Sequence, residues 1–223
     1  MTPDLVIFDC DGVLVDTEPT TNAALAANLS RYGLPMSAER CFELFVGGTM
    51  KGVMGKAREM GADLPDGWLD EIYSEMFDAL RRGVAVIAGV MPVLDRLERD
   101  GVATAIVSNG PLEKMAITLA PSGLLQRFEG RIYSPHSHGA PKPDPELLLL
   151  AAKAAGVAPE RAVMIDDNPS GIVAAERAGM RAIGFDELGD PGRLLKLGVP
   201  VATTMVEVAA HLGYAEGALL QEP

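Results

Sequence analysis

Residues 5–12 read Leu-Val-Ile-Phe-Asp-Cys-Asp-Gly, four apolar residues followed by two carboxylates one residue apart and then a glycine. An apolar run that ends in turn-forming residues is typical of a strand buried on both faces, as in a parallel sheet covered by helices. Side chains at i and i+2 of an extended chain point the same way, so Asp9 and Asp11 are expected to face one pocket. Gly12 lets the backbone turn sharply there. Ligands of open α/β sheets bind beyond the carboxyl ends of the strands, which is where this acid pair is predicted to lie.

The bulk composition is that of an ordinary globular protein and narrows the choice of partners. The chain has 223 residues, 48% hydrophobic composition and a formal net charge of −12. Because nucleic acids and anionic membranes are polyanions, this charge argues against both. No apolar run approaches the ~18 residues of a membrane-spanning helix. Cys10 and Cys41 do not make a disulfide framework, so we expect reduced cysteines and a cytoplasmic location.

A second buried-strand pattern, at 102–107, lies far along the chain from the first. A parallel crossover needs only about a dozen residues and a helix. The intervening stretch therefore predicts an inserted domain. It contains four helical patterns, at 22–32, from Ser37 and Arg40 onward, at 49–60 and at 68–81. We predict an inserted four-helix domain at 17–83, between the two parts of a core at 1–16 and 84–223.

Beyond the insertion, helix and strand patterns alternate along the chain. We predict helices at 91–99, 112–119, 146–155, 171–178 and 206–212, and strands at 102–107, 130–133, 162–165, 181–185 and around Val201. Such alternation is typical of an α/β protein with a doubly wound parallel sheet.

Three further polar clusters follow predicted strands or lie in loops at the same expected edge of the sheet. They are Ser108-Asn109, Lys142 in a proline-rich loop, and Asp166-Asp167. Each has a plain structural alternative when taken alone. The Ser-Asn pair suits a helix cap, the lysine suits a solvated loop, and the acid pair suits a helix start.

Taken together, the clusters favour phosphoryl-transfer chemistry. Converging carboxylates repel one another, and a hard divalent cation with oxygen ligands, Mg²⁺ above all, relieves that repulsion. A hydroxyl, an amide and an ammonium group supply donors for phosphoryl oxygens. One acid of the first pair is suited to attack phosphorus, and the other to protonate the leaving oxygen and then activate water. The assembly predicts a phosphohydrolase.

The clusters also resemble, in order and spacing, the four motifs of the haloacid dehalogenase-like superfamily. The matching segments are Asp9 to Glu18, Ser108-Asn109, Lys142-Pro143-Asp144, and Asp166-Asp167-Asn168 with Gly171. The resemblance covers essentially the whole chain. It implies a Rossmann-like core with the inserted four helices acting as a cap domain.

The resemblance implies a role for each residue of the site. Asp9 is the nucleophile, and Asp11 is the general acid and base. Ser108, Asn109 and Lys142 hold the phosphoryl group, and Lys142 also shields the charge of Asp9.

The same resemblance implies a Mg²⁺ cofactor and its ligands. Asp9, the backbone carbonyl of Asp11, and Asp167 bind the metal. Asp166 lies close by or acts through water.

Within the superfamily, the chain looks most like the β-phosphoglucomutase-like phosphatases. Dehalogenases lack the second acid of the first motif, so Asp11 argues against that branch. The tract 107–111 with Lys114-Met115 resembles bacterial 6-phosphogluconate and sugar-phosphate phosphatases. We therefore expect the substrate to be a small phosphorylated metabolite, a sugar phosphate or sugar-acid phosphate, and the protein to be a monomer or weak homodimer.

Two alternative functions stay open. In a phosphosugar mutase or phosphotransferase, the aspartyl-phosphate passes to a sugar hydroxyl. Mutases of the β-phosphoglucomutase type carry a histidine shortly after the first motif and a cap arginine, whereas this chain reads Glu-Pro-Thr-Thr at 18–21 and Gly-Gly-Thr-Met at 47–50. The other alternative is a non-enzymatic phospho-acceptor signalling module. Such receiver domains are short and place the acceptor on a later strand.

A glycine-rich stretch of the inserted domain is the candidate for substrate specificity. Gly47, Gly48 and Thr49 are predicted to form a loop between two cap helices, which in this family faces the catalytic edge. Glycines let the backbone approach a substrate closely. Lys51 and Lys56 follow on the next helix as candidates for attracting a phosphorylated or carboxylated substrate, although isolated lysines are more often solvated.

Overall fold

The computed structural model describes residues 2–45, 49–187 and 192–215. The chain forms two compact units. The first is made from the residues up to Asp16 together with those from Val86 onward, and the second is Thr17–Ala85. The second boundary therefore falls at Val86, slightly later than the 83/84 joint expected from the sequence.

Helices and strands alternate along most of the first unit, whereas the second unit contains four helices. The strands are β1 (Leu5–Phe8), β2 (Val15–Asp16), β3 (Ala85–Val86), β4 (Ala103–Val107), β5 (Ile132–Tyr133), β6 (Ala162–Asp166), β7 (Arg181–Phe185) and β8 (Val201–Ala202). The helices are α1 (Glu18–Arg31), α2 (Ala38–Phe45), α3 (Met50–Glu59), α4 (Trp68–Arg81), α5 (Val90–Arg99), α6 (Leu112–Leu119), α7 (Leu124–Arg127), α8 (Glu146–Ala155), α9 (Pro169–Arg177), α10 (Gly192–Leu195) and α11 (Met205–Leu212). One 3₁₀ turn spans Pro159–Arg161.

A six-stranded sheet in the order β5-β4-β1-β6-β7-β8 forms the centre of the first unit. Every pairing between its neighbouring strands is parallel. The predicted doubly wound α/β fold is therefore confirmed. A second sheet has two short strands, β2 and β3.

Strand β1 lies in the middle of the sheet, and its four side chains are completely buried. Leu5 and Ile7 belong to one apolar cluster with residues of α8 and α9. Phe8 meets the edge of the Phe128 ring, with centroids 6.3 Å apart. Because successive side chains of a strand point to opposite faces, an unbroken apolar run is what two covered faces require.

Some boundaries differ from the sequence prediction for local reasons. Helix α1 begins at Glu18 instead of position 22, because Pro19 lies in the first turn, where a missing N–H costs nothing. Helix α9 begins at Pro169, after Asn168 caps it by accepting a hydrogen bond from the Ser170 amide. Helices α7 and α10, with four residues each, were not predicted, because one turn carries too little periodicity to detect.

The second unit contains the four predicted helices α1–α4. Leu25, Leu29, Cys41, Trp68 and Ile72 lie in its apolar core. Across the described parts of the whole chain, no helix combines the length and apolar character that crossing a membrane requires.

Candidate active site

The carboxyl ends of the central strands bring four predicted residues to one edge of the sheet. Asp9 follows β1, Ser108 follows β4, and Asp166 closes β6, with Asp167 after it. They share a pocket of about 250 Å³, which is lined by Asp9, Asp11, Ser108, Asn109, Gly110, Lys142, Asp166, Asp167, Asn168 and Ser170. The structure thus brings together residues that are far apart in the chain, from Asp9 to Ser170.

Lys142 is buried at the centre of this group, with 5% of its surface exposed. Its Nζ donates to Oδ1 of Asp9 at 2.8 Å, to Oδ2 of Asp166 at 2.6 Å and to the carbonyl oxygen of Val107 at 3.1 Å. Burial alone would lower the pKa of Lys142, but the charges of the two carboxylates outweigh it and raise that pKa above its ordinary value. The solvated-loop alternative for Lys142 is therefore wrong.

Asn109 holds the backbone of the Lys142 loop. Its Nδ2 donates to the carbonyl oxygen of Lys142 at 3.0 Å, and its Oδ1 accepts from the Lys142 amide at 2.8 Å. Arg177 supports the same loop by donating from Nη1 to the carbonyl oxygen of Pro143 at 3.0 Å. The helix-cap alternative fails here, because α6 is capped by Pro111 without a side-chain hydrogen bond. The phosphate-binding role of Asn109 stays a prediction, and its side chain already has a structural task.

Ser108 is buried beside the acids, with 3% of its surface exposed. Its hydroxyl oxygen accepts from the backbone amide of Gly110 at 3.3 Å. This local hydrogen bond holds the turn that follows β4 and keeps the hydroxyl at the pocket wall. The hydroxyl is thus available to donate to a phosphoryl oxygen.

Two of the acidic residues, Asp9 and Asp167, have pKa values above that of an ordinary aspartate. Burial raises the pKa of Asp9, Lys142 opposes that rise and Asp166 adds to it, which leaves the pKa of Asp9 at about 6. Burial, followed by the charges of Asp9 and Asp166, raises the pKa of Asp167 to about 8, although Arg193 and Lys142 oppose the rise. Two carboxyl groups whose pKa values are raised toward neutral pH mark a cluster that lacks positive charge.

A metal ion would supply that charge, and the donor set fits one. Carboxylate oxygens of Asp9, Asp166 and Asp167 all lie within 4.8 Å of one another. The set offers oxygen ligands alone, which is the preference of Mg²⁺. Asp166 is already engaged, since its Oδ1 accepts from the Asn168 amide at 2.8 Å and its Oδ2 from Lys142. That Asp166 lies close to the metal or acts through water stays a prediction.

Two of the acids occupy space that is free only because a glycine lies next to each of them. Gly12 has a φ of +77°, and a Cβ there would lie 2.9 Å from Cγ of Asp167. A Cβ at Gly171 would lie 1.7 Å from Oδ2 of Asp166. Both positions therefore exclude any larger residue while the acids keep their places.

The carboxylate of Asp11 faces the pocket but is outside the group of three acids. Its Oδ2 accepts from Nζ of Lys114 on α6 at 2.7 Å. No role was predicted for Lys114 from the sequence. One feature of the sequence could have indicated a role for Lys114. It is a lysine in the first turn of a predicted helix, where the helix dipole disfavours a cation unless an acid lies nearby.

The candidate specificity residues of the second unit have mixed outcomes. Gly47 and Gly48 lie outside the described residues. Thr49 caps α3, its Oγ1 accepting from the Gly52 amide at 3.2 Å, and Lys51 is exposed. Lys56 is engaged inside its own unit, where Nζ donates to the carbonyl oxygen of Leu44 at 2.9 Å and lies 5.7 Å from the centre of the Phe45 ring.

Comparison with known proteins identifies the family. Residues 3–179 match the haloacid dehalogenase-like hydrolases. The chain belongs to this family, as its motifs predicted.

Relatives and solved structures narrow the comparison. The chain is 31% identical to phosphoglycolate phosphatase 1 of Pseudomonas aeruginosa, over 80% of this chain and 68% of that protein. It is 28% identical to the 6-phosphogluconate phosphatase of Escherichia coli, over 82% of each chain. A haloacid dehalogenase family hydrolase of Deinococcus radiodurans, solved with bound phosphate and sodium, superimposes with a TM-score of 0.83 at 31% identity, over 98% of this chain and 97% of that one. A putative β-phosphoglucomutase of Thermotoga maritima gives a TM-score of 0.78 at 25% identity, over 93% and 98%. The chain is accordingly an enzyme of the phosphomonoester hydrolase class.

Proposed function

We propose that this enzyme is a Mg²⁺-dependent phosphatase that hydrolyses a small phosphorylated metabolite through an aspartyl-phosphate on Asp9. The observation that carries the proposal is the buried contact between Lys142 and Asp9, 2.8 Å from Nζ to Oδ1, in a pocket that is lined by three more acids. A carboxylate held in a dry pocket by a cation is suited to attack phosphorus, and the same cation is placed to meet the phosphoryl oxygens.

The proposed metal ligands are Asp9, Asp167 and the backbone carbonyl of Asp11. The clustering of Asp9, Asp166 and Asp167 and the raised pKa values of Asp9 and Asp167 support this assignment. When bound, Mg²⁺ supplies positive charge that offsets the carboxylates and the phosphate. Asp166 contributes by holding Lys142 and by closing the turn at Asn168.

The proposed chemistry uses residues already in the pocket. A carboxylate oxygen of Asp9 bonds to phosphorus while the bond to the leaving oxygen breaks, and Asp11 gives that oxygen a proton. Water then attacks the same phosphorus, Asp11 takes its proton, and the Asp9 carboxylate leaves. The hydroxyl of Ser108 and the ammonium of Lys142 hold the phosphoryl oxygens through both steps.

The proposed substrate is a sugar phosphate or a phosphorylated sugar acid. The two relatives compared above are named for phosphoglycolate and 6-phosphogluconate, which are both phosphorylated carboxylic acids. A pocket of about 250 Å³ suits a small metabolite. The second unit is proposed to act as the cap that selects the substrate, with Thr49 and the exposed Lys51 as its described candidates. We keep the cytoplasm as its proposed location.

A screen of phosphorylated metabolites with and without Mg²⁺ tests the function. Sugar phosphates with and without a carboxylate should be compared by kcat/KM, with p-nitrophenyl phosphate as a generic substrate. Wild-type enzyme should turn over in Mg²⁺ and stop in EDTA. Asp9→Asn should lose at least about 10³-fold in kcat, because it lacks the nucleophile. The exposed Asp63→Asn is the matched control and should keep full activity.

Two results would overturn the proposal: an Asp9→Asn enzyme that still turns over, or activity that ignores EDTA. Quenching the reaction in acid with ³²P-labelled substrate should capture label on wild-type protein and none on Asp9→Asn. Product analysis with a phosphorylated hexose separates the mutase alternative, which would return an isomer without releasing phosphate.

A further inference from the structure

Lys114 is a cation at the pocket that the proposed chemistry leaves without a task. Its Nζ lies 2.7 Å from Oδ2 of Asp11, and both side chains are largely buried, at 21% and 28% exposure. Gly110 lies beside the pair, since a Cβ there would be 3.9 Å from Oδ2 of Asp11 and 4.0 Å from Cδ of Lys114. Gly110 also lines the pocket. Lys114 is therefore paired with a carboxylate of the pocket lining and lies next to that lining at Gly110.

The position of Lys114 in its helix indicates a functional reason for the pair. Lys114 is the third residue of α6, which begins at Leu112 directly after the turn that follows β4. A cation in the first turn of a helix is opposed by the helix dipole. Side chains lean toward the N-terminus of a helix, so this position directs Lys114 toward the carboxyl edge of the sheet.

The chemistry of the pair favours one of the two tasks proposed for Asp11. An ammonium group that donates to a carboxylate stabilises the anion and fixes its direction. A carboxylate whose direction is fixed in this way is placed to accept a proton from water.

We propose that Lys114 is a positioning residue that holds Asp11 as the general base for release of phosphate from Asp9. This inference rests on the proposed function. In that step an oxygen of water bonds to phosphorus as the bond between phosphorus and Asp9 breaks, with its electron pair returning to the Asp9 carboxylate. The proton of the water passes to Asp11. In the next turnover Asp11 returns that proton to the leaving oxygen of the substrate, and Lys114 keeps its own protons throughout.

The two half-reactions allow a sharp test with p-nitrophenyl phosphate. Its phenolate leaves without needing a proton, so formation of the aspartyl-phosphate should not depend on Lys114. Orienting a general base contributes part of the 10²–10⁴-fold typical of such catalysis, so Lys114→Met should lower kcat by about tenfold or more. Because kcat/KM reports the steps up to phosphoenzyme formation, it should change less than about threefold, and KM should fall with kcat.

Direct measurement of the phosphoenzyme completes the experiment. Acid quenching with ³²P-labelled substrate should show more label on Lys114→Met than on wild type at steady state. Lys114→Arg keeps the charge and should recover most of kcat. Lys153→Met, which removes an exposed lysine from α8, should match wild type in every measurement. Thermal unfolding of each variant shows whether it is folded.

Each other outcome overturns the inference. Equal losses in kcat and kcat/KM with KM unchanged, and no added label, would assign Lys114 to structure alone. A raised KM confined to carboxylate-bearing substrates would make Lys114 a contact for the substrate. If Lys114→Met does not fold, the same pattern is required of Lys114→Gln, and its absence there overturns the inference. Failure of the proposed function is a separate result, seen when wild type shows no turnover or Asp9→Asn retains it.

Discussion

The ammonium nitrogen of Lys142 lies 2.6 Å from Oδ2 of Asp166, at a place where the Asp166 side chain has no exposed surface. Buried charges are costly unless they are paired, so neither residue tolerates the loss of the other. The same nitrogen also reaches Asp9. One cation therefore serves the proposed nucleophile and the most deeply buried acid together.

Replacing Lys142 should damage both stability and activity. Lys142→Met leaves Asp9 and Asp166 without their cation, which should lower the free energy of unfolding by about 3–5 kcal/mol in EDTA. Loss of a phosphoryl donor should lower kcat by about 10²–10³-fold. Mg²⁺ should bind the variant more tightly and restore more stability to it than to wild type, because the acids then lack another cation. Urea unfolding with and without Mg²⁺ measures this, and an equal Mg²⁺ effect on both proteins would contradict it.

The stability of the metal-free protein should fall as pH rises from about 4 to about 8, because two acids of its cluster have raised pKa values. The pKa values of Asp9 and Asp167, at about 6 and about 8, lie above the 3.8 of an exposed aspartate. Their favourable contribution is complete below 3.8 and is lost as pH rises through the raised values. In urea unfolding, Asp167→Asn should therefore be more stable than wild type at pH 8 in EDTA and equal to it at pH 4, and equal stability at both pH values would contradict this.

The same ionisations predict how Mg²⁺ binding depends on pH. Binding needs the ionised acids, so affinity should rise between pH 6 and pH 8 by up to about tenfold per unit for each proton released. Calorimetric titration in two buffers of different ionisation enthalpy counts those protons. Asp63→Asn serves as the control, and an affinity independent of pH would rule out the assignment.

Adding one methyl group at Gly171 should disrupt the site by displacing the side chain of Asp166. Its Cβ would fall 1.7 Å from Oδ2 of Asp166, so that carboxylate must move away from Lys142. Gly171→Ala should lose about 2–3 kcal/mol of stability and most of its activity. Gly55→Ala is the matched control, because Gly55 also lies in a helix and has open space around its Cβ position. It should gain about 0.5–1 kcal/mol in the same urea titration, and similar behaviour of the two variants would refute the steric argument.

The stability of the second unit should depend on one buried asparagine, Asn28. Oδ1 of Asn28 accepts from Nε1 of Trp68 at 2.6 Å, and its Nδ2 donates to Glu71 at 3.0 Å and to Glu75 at 3.1 Å. Asn28→Ala removes the acceptor of Trp68 Nε1 and one donor to each glutamate, and it should cost about 2–3 kcal/mol.

Fluorescence of Trp68, the single tryptophan of the chain, reports that change directly. Asn22→Ala, on the same helix, removes only a hydrogen bond to Glu18 four positions earlier. It should stay within about 0.5 kcal/mol of wild type. Equal losses for the two asparagines would show that the buried network adds nothing.

Several elements could be predicted to the residue because their local pattern is strong. Helices α4, α6 and α8 have the bounds expected from their apolar spacing, and β1 spans the apolar run that opens the chain. Helix α1 was predicted too short, because the residues of its first turn, a proline among them, lack the apolar spacing of a helix. One-turn elements such as α7 were missed, since their stability comes from packing and not from their own periodicity.

The candidate site shows the same division between local pattern and three-dimensional contact. The spacing of Asp9 and Asp11, and the end of each strand, place these acids at one edge of a parallel sheet whatever the remaining details. The α/β class could also be predicted, because the apolar periodicity that indicates it depends only on residues that are neighbours in the chain. Local sequence cannot say which acid each cation reaches. Lys142 contacts Asp9 and Asp166, Lys114 contacts Asp11, and Asn109 clamps the Lys142 backbone. These pairings join residues from 24 to 133 positions apart, so only the packed sheet and its loops decide them.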